Sequence, residues 1–167
     1  MKLFSARIQD LHTLYLSNLK KALDMEKKIT KALPDLIDNS TDAELIEAFR
    51  THLEETNGHV VKLQNLLENH TGEANTETCQ VIEGLAAEAS DTIKDVTEPA
   101  LRDIALIGAA QQVEHHEIAV YGTLRTWADI LDYVDDAAVL KSIEEQEIEA
   151  DELLTRISES VNVHAAA

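Results

Sequence analysis

Residues 11–37 read Leu-His-Thr-Leu-Tyr-Leu-Ser-Asn-Leu-Lys-Lys-Ala-Leu-Asp-Met-Glu-Lys-Lys-Ile-Thr-Lys-Ala-Leu-Pro-Asp-Leu-Ile. Leu11, Tyr15, Leu19, Ala22, Ile29, Leu33 and Ile37 extend a stripe opened by Phe4 and Ile8 at three- and four-residue steps. That is the period of a long helix with one buried face. Glu26 falls in the middle of the stripe, four after Ala22 and three before Ile29. A lone ionised carboxylate is strongly unfavourable in such a place unless a cation, a shared proton or a hydrogen-bond partner neutralises it. Pro34 is expected to kink or terminate this helix near its end.

The chain around this segment repeats the pattern. Asn39-Ser40-Thr41-Asp42 reads as a turn, with Thr41 and Glu44 forming a capping box for a second helix. That helix carries Leu45, Phe49, Leu53, Val60, Leu63 and Leu67 and ends at Thr71-Gly72, where glycine supplies the left-handed cap. A shorter amphipathic piece spans about residues 78 to 94, and Thr97-Glu98-Pro99 opens a third long helix. The third long helix runs to about Leu131, with Leu106, Ala110, Val113, Tyr121 and Leu124 on its apolar face. After Asp132 to Asp136, with Asp135 or Asp136 as cap, the last helix carries Leu140, Ile143, Ala150, Leu154, Ile157 and Val161. The expected fold is all-α, an antiparallel four-helix bundle. One long connection between two helical hairpins, here holding a short extra helix, is the ferritin-like arrangement. Residues 1–163 are expected to form the single domain, with 164–167 as a frayed tail.

Composition narrows the function. Lys and Arg number 14 against 32 Asp and Glu, a formal charge of -18, which repels nucleic acid and anionic membranes. Neither is expected as a partner. Aromatic residues make up only 4% of the chain, so the core is built mainly from Leu, Ile, Val and Ala. Cys79 is the only cysteine, which excludes an intramolecular disulfide; it lies in an apolar run and reads as a buried, inert thiol. No stretch approaches the roughly 20 apolar residues needed to span a bilayer. The opening residues lack the continuous apolar core of a signal peptide, so a cytoplasmic location is expected.

Three carboxylates occupy apolar positions: Glu26, Glu117 and Glu147. At about 100° per residue, Glu147 falls in the core stripe of the last helix, while Glu114 and Glu117 straddle the middle of the third helix's face. On the second helix Thr56 is central, His52 and His59 flank it, and Glu55 lies at that side's edge; Asp151 sits at the opposite margin of the last stripe. Glu26, Glu55, Glu117 and Glu147 each lie roughly 21–24 Å from their hairpin turn at 1.5 Å per residue. Four helices would therefore deliver polar groups to one layer. A single Glu on an apolar stripe usually snorkels; several at one depth point to a metal.

The general dimetal bundle uses a Glu from each of two helices and Glu-x-x-His from the other two. This chain matches it in part, with His52-x-x-Glu55 in reverse order and Glu147-x-x-x-Asp151 without a histidine. The candidate ligands are Glu26, His52, Glu55, Glu114, Glu117 and Glu147, with His59 and Asp151 as further candidates. Hard oxygen ligands with imidazole suit iron or manganese, and two Fe ions are expected, with Mn or Zn as alternatives. Glu144, Glu145 and Glu149 read as solvated surface.

Ala48-Phe49, His52-Leu53-Glu54-Glu55-Thr56, Cys79, Glu88, Val113-Glu114-His115-His116-Glu117-Ile118-Ala119 and Tyr121-Gly122-Thr123 resemble the YciE/YciF-type ferritin-like family of bacterial stress proteins. Met25-Glu26-Lys27-Lys28-Ile29 and Glu147 with Asp151 fit that family's first and last helices, so the resemblance covers about residues 8 to 158. It implies a ferritin-like bundle forming a homodimer, a dinuclear metal centre and a stress-linked role. His116 stands where the family usually has Tyr. Two functions are open at this point. One is a dinuclear iron or manganese carboxylate protein reacting with oxygen or peroxide, with Tyr15 or Tyr121 near the ions and no catalytic residue assigned. The alternative is a metal-free helical stress or interaction protein with a vestigial carboxylate core, its acids protonated or hydrogen-bonded to His52, His59 and the tyrosines.

Overall fold

Asp10 opens the first helix, its side chain accepting from Thr13 N at 2.7 Å. The computed structural model describes residues 8–165. Phe4, placed in the first stripe, lies outside the described residues, as do Ala166 and Ala167 of the expected tail. Five helices follow in order: α1 (Leu11–Asn39), α2 (Ala43–Thr71), α3 (Gln80–Asp95), α4 (Pro99–Ile130) and α5 (Val134–Ala165). Among the described residues there is no strand.

The apolar stripes are the buried faces. Tyr15, Leu19, Leu23, Ile29 and Leu33 of α1 meet Leu45, Phe49 and Leu63 of α2, Leu106 and Leu124 of α4 and Leu140, Ile143 and Leu154 of α5 in one core. Ile8 precedes the α1 cap and is exposed, so the buried stripe begins inside the helix. Pro34 does not end α1: near the C-terminal end its missing N–H removes one backbone bond, and the helix continues to Asn39. Gly72 takes the left-handed conformation after α2, with φ 76°. Glu98 caps α4 through Leu101 N at 2.7 Å, with Pro99 in the first turn.

Two caps differ from the sequence reading, and both differences tie helices together. Asp42, not Thr41, caps α2, accepting from Glu44 N and Leu45 N at 2.9 Å each. Thr41 is held by the buried Asp103 of α4, which accepts from Thr41 N at 2.8 Å, Thr41 Oγ1 at 2.6 Å and Asp42 N at 2.9 Å. Beside it Arg102 Nε donates to the carbonyl of Asn39 at 2.8 Å. At the other end of α1, Asp135 and Asp136 both lie in the first turn of α5, inside the helix and past the cap position before Val134, and Asp136 turns inward. It accepts from Tyr15 Oη at 2.7 Å and faces His70 Nε2 at 2.7 Å, while Tyr133 Oη contacts His12 Nδ1 at 2.7 Å.

Helix pairs pack as α1 with α2, α4 with α5, α2 with α5 and α1 with α4; α3 lies against α4 and α1. Glu144 is half-buried, contrary to the solvated reading. Arg125 Nε donates to it at 2.7 Å, and a Cβ on Gly122 would stand 2.7 Å from its Oε1. Glycine at 122 leaves room for the Glu144 carboxylate beside α4. Cys79 is buried, as expected, with its Sγ 3.8 Å from His116 Nε2. Among the described residues no helix is long and apolar enough to cross a membrane.

Candidate metal centre

Midway along the helices, the core changes from hydrocarbon to carboxylate and imidazole. α1 brings Glu26, α2 brings His52 and His59 two turns apart, α4 brings Glu114 and Glu117 one turn apart, and α5 brings Glu147. Glu26, Glu117 and Glu147 are 0% exposed, His59 1%, Glu114 3% and His52 6%. Thr56, central on the α2 stripe, leaves the middle free by turning its hydroxyl back onto the His52 carbonyl at 2.7 Å.

The six residues fall into two groups. His52, Glu114, Glu117 and Glu147 each offer one ligand atom, all within 4.8 Å of one another; Glu26, His59 and Glu147 do the same. Glu147 belongs to both. Its Oε1 lies 3.0 Å from His59 Nδ1 and its Oε2 lies 3.8 Å from His52 Nδ1, so its two oxygens face opposite ways. His52 Nε2 is 3.4 Å from Glu114 Oε1, and His59 Nδ1 is 3.6 Å from Glu26 Oε1.

Surrounding side chains orient the inner ones. Lys62 Nζ donates to Gln146 Oε1 at 3.2 Å, which marks that oxygen as an acceptor, so His59 Nε2, also at 3.2 Å, is the donor to it. The other ring nitrogen, Nδ1, is thereby turned toward Glu147 and Glu26. Tyr121 Oη donates to Glu26 Oε1 in a short hydrogen bond. Beyond these, nine buried atoms find no hydrogen-bond partner among the described residues: Glu26 Oε2, Glu114 Oε2, His59 Nδ1 and both polar atoms of His52, Glu117 and Glu147. Buried polar groups are nearly always satisfied.

The electrostatics follow from this crowding. Burial, reinforced by the other carboxylates, pushes Glu114 and Glu117 well above the usual carboxylate range. Burial and Glu26 raise Glu147 to about 7, against the lowering pull of His59. Burial alone would lower His59, but Glu147 and Glu26 outweigh it and hold the imidazole up to about 10. Burial, with His59 adding to it, takes His52 down to about 4. Tyr121 is raised by burial and by Glu26 beside it. Glu114, Glu117 and Glu147 hold on to protons because burial disfavours their charged forms. Four carboxylates and two neutral imidazoles match the charge of two divalent cations, and their oxygen and nitrogen donors suit iron, manganese or zinc.

Residues 10–167 match the family described as "Domain of unknown function (DUF892)". The chain belongs to that family. Protein YciF of Escherichia coli (strain K12) is 36% identical over 152 residues, covering 90% of this chain and 92% of that one. The crystal structure of the E. coli stress protein YciF superposes with a TM-score of 0.88 at 35% identity, over 92% of this chain and 98% of that one. YcfI from Rhodopseudomonas palustris gives the same TM-score and coverage at 34% identity. A Xanthomonas campestris protein, 22% identical with a TM-score of 0.75 over 92% of this chain and 94% of that one, shares the fold. The YciF-type resemblance read from the sequence therefore holds over most of the chain.

Within this family member the expected ligands divide by position. Glu26, His52, His59, Glu114, Glu117 and Glu147 converge. Glu55 stands at the edge, a third exposed, with Oε2 4.0 Å from His52 Nδ1. Asp151 is further out, accepting from Gln111 Nε2 at 3.2 Å and facing the exposed His115 at 3.5 Å. Gln146 has no signature in the sequence, because a polar residue beside a stripe is ordinarily surface. Only its reach to His59 and Lys62 reveals it. Gln146→Leu is expected to weaken divalent-metal affinity about 10–100-fold by freeing the His59 ring. Isothermal titration with Mn(II) measures this, and wild-type affinity would remove Gln146 from that role.

Proposed function

We propose that this chain is a ferritin-like dinuclear metal carboxylate protein, with iron or manganese as its ions, that reacts with dioxygen or peroxide in a stress-related setting. The observation that carries the reading is the set of nine unpartnered buried atoms, all on six residues that face one another. In the metal-free alternative, protons would have to neutralise the acids and pair the facing groups, as at His59 Nδ1 and Glu147 Oε1 3.0 Å apart. The wider reading is one antiparallel four-helix bundle over residues 1–163, working as a cytoplasmic homodimer. The closed pairing of α1, α2, α5 and α4 supports the bundle. The kinship with the E. coli stress protein YciF supports the setting.

His52, Glu114 and Glu117 would hold one ion, and His59 and Glu26 the other. Glu147, which belongs to both groups, would serve both ions. Two iron ions so held would supply the electrons for reduction of dioxygen or peroxide. The protein's own share is to orient and to shield. Gln146 fixes the His59 tautomer, and Tyr121 holds a proton at Oη against Glu26 Oε1. The burial of all six residues limits their contact with bulk solvent. Metal analysis of protein purified without chelators is expected to return two equivalents of iron or manganese per chain. Protein that carries no Fe, Mn or Zn and takes none up on titration would end the proposal.

A further inference from the structure

The centre has two approaches, and they differ in chemistry. Between α2 and α5 a pocket of about 240 Å³ reaches His52 and Glu114, lined also by Glu55, Gln146, Glu149 and Ala150. A second cleft of about 40 Å³, between α1, α2, α3 and α4, also touches His52 and Glu114 but is otherwise walled by apolar side chains such as Ile29, Leu33, Ile82, Ala86 and Val113, with Lys28 as a cation among them. A divalent cation sheds its water only as other oxygens replace it, and an apolar wall offers none. The polar pocket does. At its inner end both ring nitrogens of the nine-tenths-buried His52, and Glu114 Oε2, find no hydrogen-bond partner among the described residues. At its outer edge stands Glu55, with Oε2 4.0 Å from His52 Nδ1 and Oε1 3.5 Å from Gln146 Nε2. Glu55, Glu149 and Glu114 outnumber Arg156, the cationic side chain in the lining.

We infer that the α2–α5 pocket is the route by which divalent cations reach the centre, with Glu55 capturing the ion at its mouth and passing it to His52 and Glu114. The inference rests on the metal reading above. It gives Glu55 a role in the rate of loading and none in the loaded state. Its partly exposed position fits that role: it can meet a hydrated ion and is near enough to His52 to hand it on.

Anaerobic stopped-flow loading with Co(II), followed by its absorption and checked by equilibrium dialysis, tests the route. Glu55→Gln keeps the shape and removes the charge. It is expected to slow loading about tenfold at low salt, the scale of electrostatic focusing, and to leave the final stoichiometry and the melting temperature of the loaded protein unchanged. Ala150→Leu narrows the same pocket and slows loading without altering charge; Ala86→Leu fills the apolar cleft and leaves the rate alone. Wild-type rates in both pocket variants, or slow loading in Ala86→Leu only, would overturn the route. Loss of bound Co(II) at equilibrium in Glu55→Gln would make Glu55 a permanent ligand and overturn its capture role. A wild-type chain that takes up no Co(II) would sink the metal reading itself, and the route with it.

Discussion

Glu147→Leu is expected to make the metal-free protein melt several degrees higher than wild type and to abolish its response to metal. Glu147 is fully buried, shares the interior with three other carboxylates and leaves both oxygens without a hydrogen bond. Replacing a buried ionic group by a hydrophobic side chain of similar size stabilises by about 1–4 kcal/mol where its partners are imperfect. For a chain of this length each kcal/mol moves the melting temperature by about 2–4 °C. His59 keeps Glu26 at 3.6 Å as its remaining counter-ion. Because Glu147 is common to both ligand groups, its loss removes a donor from each. In wild type, metal at a thousandfold excess over Kd adds about 4 kcal/mol per site. The variant should gain almost none of it. Melting curves in chelator and in excess Mn(II) give both numbers. A variant less stable than wild type in chelator would mean that the carboxylate is already satisfied without metal, and an undiminished Mn(II) shift would show that it serves neither ion.

The metal-free protein should also lose stability as pH rises from 6.5 to 10, while the loaded protein does not. His59 holds its proton up to about 10 in the fold against an ordinary value of 6.5. Glu147, raised from 4.5 to about 7, and the more strongly raised Glu114 and Glu117 act in the same direction. For every such group the native state binds more protons than the unfolded chain, so stability is fully present below the unfolded value and falls as pH climbs through the folded one. His52, lowered from 6.5 to about 4, works oppositely but only below 6.5. Above that value the trends align. The slope is about 1.4 kcal/mol per pH unit for each proton difference. Bound cations have already displaced those protons, so metal affinity rises with pH and the two stability curves diverge. Melting at pH 6.5, 8 and 9.5 with and without Mn(II) tests this; parallel curves would contradict it.

Much of this was legible in the chain because helical periodicity reports both burial and depth. Glu26 and Glu147 break their stripes at the residues where the centre lies, and Gly72 and Pro99 mark boundaries through backbone chemistry that no packing overrides. The misses share one cause: each depends on a partner on another helix or beyond a turn, which local spacing does not show. Thr41 looked like a cap until Asp103 claimed its hydroxyl, and Asp136 looked like a cap until Tyr15 and His70 claimed its carboxylate. Glu144 looked solvated because nothing local shows that Gly122 leaves room beside it. On α2, His52, Glu55 and His59 all lie on one side of a stripe centred on Thr56, and spacing alone could not separate the inner groups from the edge residue.

Asp103 and Asp136 grip the first helical pair at its two extremities. Together they act as end stops against axial slip. A slide of one helical turn, about 5.4 Å, would carry Glu114 and Glu117 past His52 and scatter the donors. The cluster's alignment is thus held by two aspartates that are not among its ligands. A chain altered only at Asp103 or Asp136 should reveal the damage as faulty metal retention, with every donor still present in its sequence.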